Sequence, residues 1–169
     1  MKEVHLALTG FMGSGKTTVG RMLAQRLGRR FVDTDEVIVA HMGISIPEIF
    51  ARYGEQEFRR VEAQICQELL ATTEPMVIAL GGGAVLNAET RQKLEEHAVV
   101  FALVCELDEI IRRVGKGGDR PLYSSRREQL EALLRARQPL YARYPQIDTT
   151  SRSPEVVAEM ILQRWKSQS

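Results

Sequence analysis

The stretch GFMGSGKT, Gly10 to Thr17, decides how this chain folds. It fits G-x-x-x-x-G-K-[ST], a loop whose glycines let several backbone N–H groups turn inward on phosphate oxygens. The run Leu6-Ala7-Leu8-Thr9 before it predicts a buried strand, and Val19, Met22, Leu23 and Leu27 after it recur at helical spacing. Strand, loop and helix in that order place a phosphate at the positive end of the helix. Gly13, Ser14, Gly15, Lys16, Thr17 and Thr18 are therefore the candidate nucleotide contacts. Lys16 would reach the β- and γ-phosphates, and the Thr17 hydroxyl would ligate Mg²⁺. A glycine turn that merely starts a helix is the simpler alternative, and the flanking pattern argues against it.

The composition bounds the rest. At 169 residues the chain has the length of one domain with one sizeable core. A hydrophobic content of 44% with 27% charged residues is ordinary for a soluble globular protein, and a net charge of +1 gives no global attraction to nucleic acid or membrane. No apolar run approaches the roughly 18 to 20 residues that a membrane-spanning helix needs. The two cysteines, Cys66 and Cys105, match no metal-binding spacing and read as reduced, packed thiols, so the expected compartment is the cytoplasm.

Apolar strand-like runs at 4–9, 31–33, 76–80, 98–104 and, weakly, 146–148 alternate with helical patterns at 15–28, 35–42, 46–71 (in two or three pieces), 87–96, 107–114, 125–143 and 154–166. That alternation predicts an α/β fold, a parallel sheet with helices on both faces. Ligands of such sheets bind beyond the carboxyl ends of the strands, so residues that follow strands are the candidates. Ser45 with Pro47, and Ser153 with Pro154, read as helix starts. The segment VGKGGDRPLYSS, Val114 to Ser125, reads as a mobile basic loop.

Four groups of residues carry the chemistry. In Phe31-Val32-Asp33-Thr34-Asp35 the two carboxylates stand two residues apart, which on a strand puts both on one side. One can serve Mg²⁺ through water and the other can take the hydrogen bond or proton of an attacking hydroxyl. Capping of the following helix is the simpler alternative for either. Gly81-Gly82-Gly83 ends the third apolar run, and such backbone can approach an anionic or hydroxylated ligand closely. In EFRRVE, Arg59 and Glu62 share a helical face. Arg137, in ARQPLY, has the planar fork suited to carboxylates, and Arg120, in GGDRPL, could swing onto transferring phosphate. Two fixed arginines point to an acidic substrate.

Taken in order, GFMGSGKT, FVDTD, EQEFRRVE, GGGAV, GGDRPL and ARQPLY resemble the shikimate kinase family over nearly the whole chain. The resemblance implies a five-stranded parallel sheet flanked by helices, a three-layer fold of the nucleoside monophosphate kinase type, with a substrate-binding region at about 34–62 and a closing lid at about 113–125. It implies ATP-dependent phosphorylation of the 3-hydroxyl of shikimate, with Mg²⁺, by a monomer. Asp35 would bind the ring hydroxyls next to the reacting one, and Asp33 would serve the metal through water, with Thr17 in direct contact. Arg59 and Arg137 would clamp the substrate carboxylate, Glu62 would orient Arg59, and Gly81, Gly82 and Gly83 would run along the substrate. Lys16 and Arg120 would stabilise the migrating phosphoryl group. Arg113 and Pro154 would enclose adenine, and Phe50, Phe58, Pro121 and Leu122 would wall the ring. Met12 stands where some relatives carry proline, and the lid composition at Lys116-Gly117-Gly118 departs from no fixed pattern. His5, His41 and His97 match no catalytic position, and Tyr141 and Tyr144 read as packing.

The nearest rival is another small-molecule kinase on the same scaffold, such as a gluconate or nucleoside monophosphate kinase. A GTPase would carry N-K-x-D, whereas the sole asparagine, Asn87, is followed by Ala-Glu-Thr. A nucleic-acid-binding module would show a basic face or a stacking platform, and neither occurs in a charge-balanced chain with 6% aromatics.

Overall fold

A computed structural model describes residues 3–115 and 124–168. The expected lid arginine Arg120, its neighbours Pro121 and Leu122, and the Lys116-Gly117-Gly118 stretch lie outside the described residues.

Five strands form one parallel sheet: β1 (His5–Gly10), β2 (Arg30–Asp33), β3 (Met76–Ala79), β4 (Ala98–Val104) and β5 (Gln146–Asp148), in the spatial order β2-β3-β1-β4-β5. The central strand is buried at all six positions, as a strand covered on both sides should be. Its residues alternate between two cores. Leu6 and Leu8 join Val77, Phe101, Leu103 and Ile147 under α1 (Lys16–Leu27) and α7 (Pro154–Gln168). Ala7 joins Ile78, Val100 and Ala102 on the opposite face. There they meet Cys66 and Leu70 of α3 (Ile46–Leu70), Leu94 of α4 (Ala88–His97), Ile110 of α5 (Leu107–Gly115) and Tyr141 of α6 (Ser124–Tyr141). Helices on both faces make the expected three layers. The sequence boundaries hold to within a residue or two, and the one unanticipated element is a 3-10 turn at Ala84–Leu86.

Two local features aim the site. The chain leaves β2 at Asp33 and turns at once into α2 (Thr34–Met42), because the Asp33 side chain caps the first turn. The long helical stretch α3 is broken at Gly54, whose φ of 83° and ψ of 167° suit glycine alone. Phe50 and Phe58 are eight residues apart, which on a straight helix would separate them by about 12 Å along the axis. Their ring centroids are 4.8 Å apart. The break folds Phe50, half-exposed, back over the buried Phe58 and makes an apolar wall beside Arg59.

A methyl group added at Gly54 would meet nothing within 4 Å, so Gly54→Ala tests the backbone alone. Alanine is the better helix former, yet the variant is expected to lose about 1–3 kcal/mol in urea unfolding, the usual cost of such a conformation. A gain in stability would show that the packing of Phe50 on Phe58 does not fix the break.

Candidate active site

The loop after β1 curls as its sequence requires. Gly15, the residue before α1, sits at φ 101°, open to glycine and strained for other residues. The Ser14 N–H donates to the Phe11 carbonyl at 3.2 Å, and the Thr149 hydroxyl donates to the Ser14 carbonyl at 3.0 Å. The Ser14 hydroxyl is buried with no hydrogen-bond partner among the described residues. Lys16 bends back over the loop, its Nζ donating to the Gly10 and Phe11 carbonyls at 2.7 and 3.0 Å. Burial pushes this ammonium down to about 8, against the pull of Asp35 and Asp33 and with a smaller downward push from Arg137. An occupied phosphate site would reverse that shift. A cavity of about 370 Å³ opens here, lined by Met12, Lys16, Thr17, Asp33, Asp35 and Gly82 among others.

Both acidic residues of FVDTD line this cavity, but not as two positions of a strand. Asp33 ends β2, whereas Asp35 stands in the first turn of α2. Asp33 fills two roles at once: Oδ1 accepts from the Asp35 and Glu36 N–H groups at 2.9 and 3.4 Å, and Oδ2 accepts from the Thr17 hydroxyl at 2.8 Å. The capping alternative and the metal reading therefore each have an oxygen. Burial, with the Asp33 charge in support, raises the Asp35 carboxyl above its ordinary range, and Lys16 and Arg59 oppose the shift. Among the described residues no group of three His, Cys, Asp or Glu side chains could hold a metal ion by itself. A hydroxyl with one carboxylate behind it is the kind of all-oxygen half-site that suits a hydrated Mg²⁺ delivered with nucleotide phosphates.

The three glycines matter for what they lack. A Cβ on Gly81 would stand 2.6 Å from Asp35 Oδ1 and 3.0 Å from Glu62 Oε2. On Gly82 it would stand 3.3 Å from Arg137 Nη1, and on Gly83 it would overlap the Arg59 guanidinium. The strip is thus a floor on which four charged groups converge from three helices. The Gly81 N–H is already donated to the buried Thr34 hydroxyl at 2.9 Å, so that donor serves the fold rather than a ligand. The expected Arg59–Glu62 pair forms at 2.8 Å, with Glu55 3.6 Å away on the outer side. Glu62 is itself buried, which raises its carboxyl while Arg59 holds it down. Arg137 is only 9% exposed, and no carboxylate among the described residues lies within ion-pair distance of it. A buried cation left so is costly unless an anion arrives.

A second cavity, of about 450 Å³, adjoins the first across Gly15 and Thr18. Arg113 and Pro154 both line it, as expected of two sides of a base pocket. Arg113 gives Nε to Glu109 at 3.1 Å, Nη1 to the Gly13 carbonyl and the Thr149 hydroxyl at 3.2 Å each, and Nη2 to the Thr149 carbonyl at 2.9 Å. With its edges engaged, the guanidinium has its flat face left for stacking. Three functional neighbours escaped the sequence reading: Thr34, Thr149 and Tyr141, whose hydroxyl donates to the Gly82 carbonyl. Of these only Tyr141 carried a signal, its spacing of four from Arg137. His5 is structural, its Nδ1 accepting from the Met76 N–H at 3.1 Å.

The chain is similar to known proteins in sequence and fold. The family model for shikimate kinase matches residues 12–166. A shikimate kinase from Geobacter metallireducens is 44% identical over 160 residues, which cover 92% of this chain and 89% of that protein. The structure of shikimate kinase from Acinetobacter baumannii in complex with shikimate superposes with a TM-score of 0.90 at 36% identity, covering 98% of this chain and 94% of the other. A gluconokinase from Sinorhizobium meliloti, at 18% identity and a TM-score of 0.62, shares the fold alone.

A lysine held near 8 predicts a proton count. At about pH 9 the free lysine is largely neutral, and phosphate binding should recharge it, so calorimetry of ADP binding in buffers of different ionisation enthalpy should show uptake of most of a proton. Near neutrality Lys16 is charged in both states and contributes none. Absence of uptake at the higher pH would contradict the burial of Lys16.

Proposed function

The chain belongs to the shikimate kinase family, and on that premise we propose how its residues transfer the γ-phosphoryl group of ATP to the 3-hydroxyl of shikimate. The reaction yields shikimate 3-phosphate and ADP on the way to aromatic amino acids. The observation that carries the assignment of roles is Arg137, a buried cation with no carboxylate within ion-pair distance among the described residues, beside Gly82, which lines the phosphate cavity. Shikimate supplies both what this arginine lacks, a carboxylate, and what the cavity needs, a hydroxyl acceptor.

Arg137 and Arg59 clamp the carboxylate, with Glu62 and Glu55 steering Arg59. Gly81, Gly82 and Gly83 lie along the ring, and Phe50 and Phe58 wall it. Asp35, with its carboxyl raised by burial, accepts the hydrogen bond of the attacking hydroxyl and aims it. Gly13, Ser14, Gly15 and Thr18 present the loop to the phosphates, Lys16 leaves its carbonyl partners to meet them, and Arg113 and Pro154 hold adenine. A divalent cation accompanies the nucleotide. We assign it as Mg²⁺, which Thr17 would hold directly and Asp33 through water; when bound, it would neutralise phosphate charge. Arg120 completes the set from the lid, about 113–125, most of which lies outside the described residues. We read 34–62 as the substrate-binding region of a single catalytic unit that works as a cytoplasmic monomer, with no nucleic-acid or membrane partner. No helix among the described residues is long and apolar enough to cross a membrane.

A panel of acceptors in an ADP-release assay tests the reading against its gluconokinase rival. With MgATP, shikimate should be consumed and gluconate and nucleoside monophosphates left alone; the reverse preference would overturn it. Asp35→Asn should cut kcat by about a hundredfold or more while ADP affinity stays within about twofold. Loss of nucleotide affinity instead would show Asp35 to be misassigned.

A further inference from the structure

We propose that Tyr141 is a positioning residue for Arg137, one that fixes the buried guanidinium without cancelling its charge. The inference rests on Arg137 being the contact to the substrate carboxylate. The two clamp arginines are held in different ways. Arg59 is tied by carboxylates, Glu62 at 2.8 Å and Glu55 at 3.6 Å. Arg137 has no such tie among the described residues, and its Nε, like that of Arg59, is buried without a hydrogen-bond partner there. A long side chain left so would lose its orientation to rotamer freedom.

What restrains it is the residue one helical turn later. Tyr141 stands four positions on, on the same face of α6, and is 2% exposed. Its hydroxyl donates to the Gly82 carbonyl. Gly82 in turn lets Arg137 Nη1 come within 3.3 Å of the place its Cβ would occupy. Burial pushes the Tyr141 phenol up, and the adjacent Arg137, by its charge and a hydrogen bond, opposes that push. The phenol thus stays neutral and turns its proton to the carbonyl of Gly82, the residue against which the guanidinium also lies.

A carboxylate in the same place would hold Arg137 more tightly, but it would neutralise the cation and compete with the ligand for the same donors. A phenol orients and leaves the full positive charge for the incoming carboxylate. The bond to Gly82 also ties the strip between β3 and the 3-10 turn to α6, so floor and clamp keep one geometry.

Tyr141→Phe keeps the ring and removes the hydroxyl. Loss of one hydrogen bond at a charged group should raise the shikimate KM roughly tenfold, with kcat and the ATP KM within about twofold. In an Arg137→Ala background the same change should add nothing, because both act on one contact. An unchanged shikimate KM in Tyr141→Phe, an equal rise in the ATP KM, or additivity with Arg137→Ala would each overturn the inference. If Arg137→Ala alone leaves the shikimate KM unchanged, the carboxylate reading fails first. KM does not depend on how much of a weakened variant is folded. Should Tyr141→Phe not fold at all, NMR of the unaltered, ligand-free protein decides. Separate, slowly exchanging Arg137 Nη protons are expected, and a single averaged signal would overturn the inference.

Discussion

Two cations, Lys16 half-buried and Arg137 buried, have no carboxylate within ion-pair distance among the described residues, and they set the terms for everything around them. Lys16 donates to two backbone carbonyls and feels Asp35 and Asp33 at longer range, and Arg137 lies against a phenol and a stretch of glycine backbone with Glu62 at longer range. Neither arrangement repays the removal of a full charge from water. The chain tolerates both because the two cores under and over the sheet, with β1 buried along its whole length, hold the loop and the glycine strip rigidly enough to impose the cost. Anions would relieve that cost: on the proposed reading, phosphate at Lys16 and a carboxylate at Arg137. Binding and orientation thus come from the same unbalanced charge.

The spacing between the two cations is set by main chain rather than by side chains. β1 and β3 are paired neighbours, and the phosphate loop leaves one while the glycine strip leaves the other. Side-chain-free backbone at 81–83 lets Asp35, Glu62, Arg59 and Arg137 approach from three helices without colliding. The Asp33 cap turns the chain sharply enough to bring Asp35 over this floor. Asp35, the two arginines and the phosphate loop thereby meet around Gly81 to Gly83 and the cavity, and the positioning of groups is most of what phosphoryl transfer asks of a protein.

Features governed by local pattern were legible in the sequence. The strand, loop and helix around GFMGSGKT follow from periodicity and glycine placement, and the Arg59–Glu62 pair from helical spacing. Asp35 was expected at the tip of a strand and lines the cavity from another element: alternation along a strand was expected, but the cap at Asp33 starts a helix one residue later. The glycine strip was located without its reason, because which side chains press on it depends on contacts between residue 81 and residues 35 and 62, and between 83 and 59. Thr34 and Thr149 were invisible for the same cause, since each bonds to backbone far along the chain. Tyr141 was read as packing, which its burial bears out, but a hydroxyl's partner cannot be read from helical spacing.

The direct test of an unbalanced site is the unfolding free energy of ligand-free Arg137→Met against the unaltered chain. The substitution fills similar volume, leaves the Tyr141–Gly82 bond in place and removes the charge together with the guanidinium donors. The variant should be as stable as the parent or more so, by up to about 1–4 kcal/mol, and should lose the stabilisation that shikimate confers on the parent. A variant less stable by about 3 kcal/mol or more would mean that Arg137 is already satisfied within the fold, and the account of the site would be wrong.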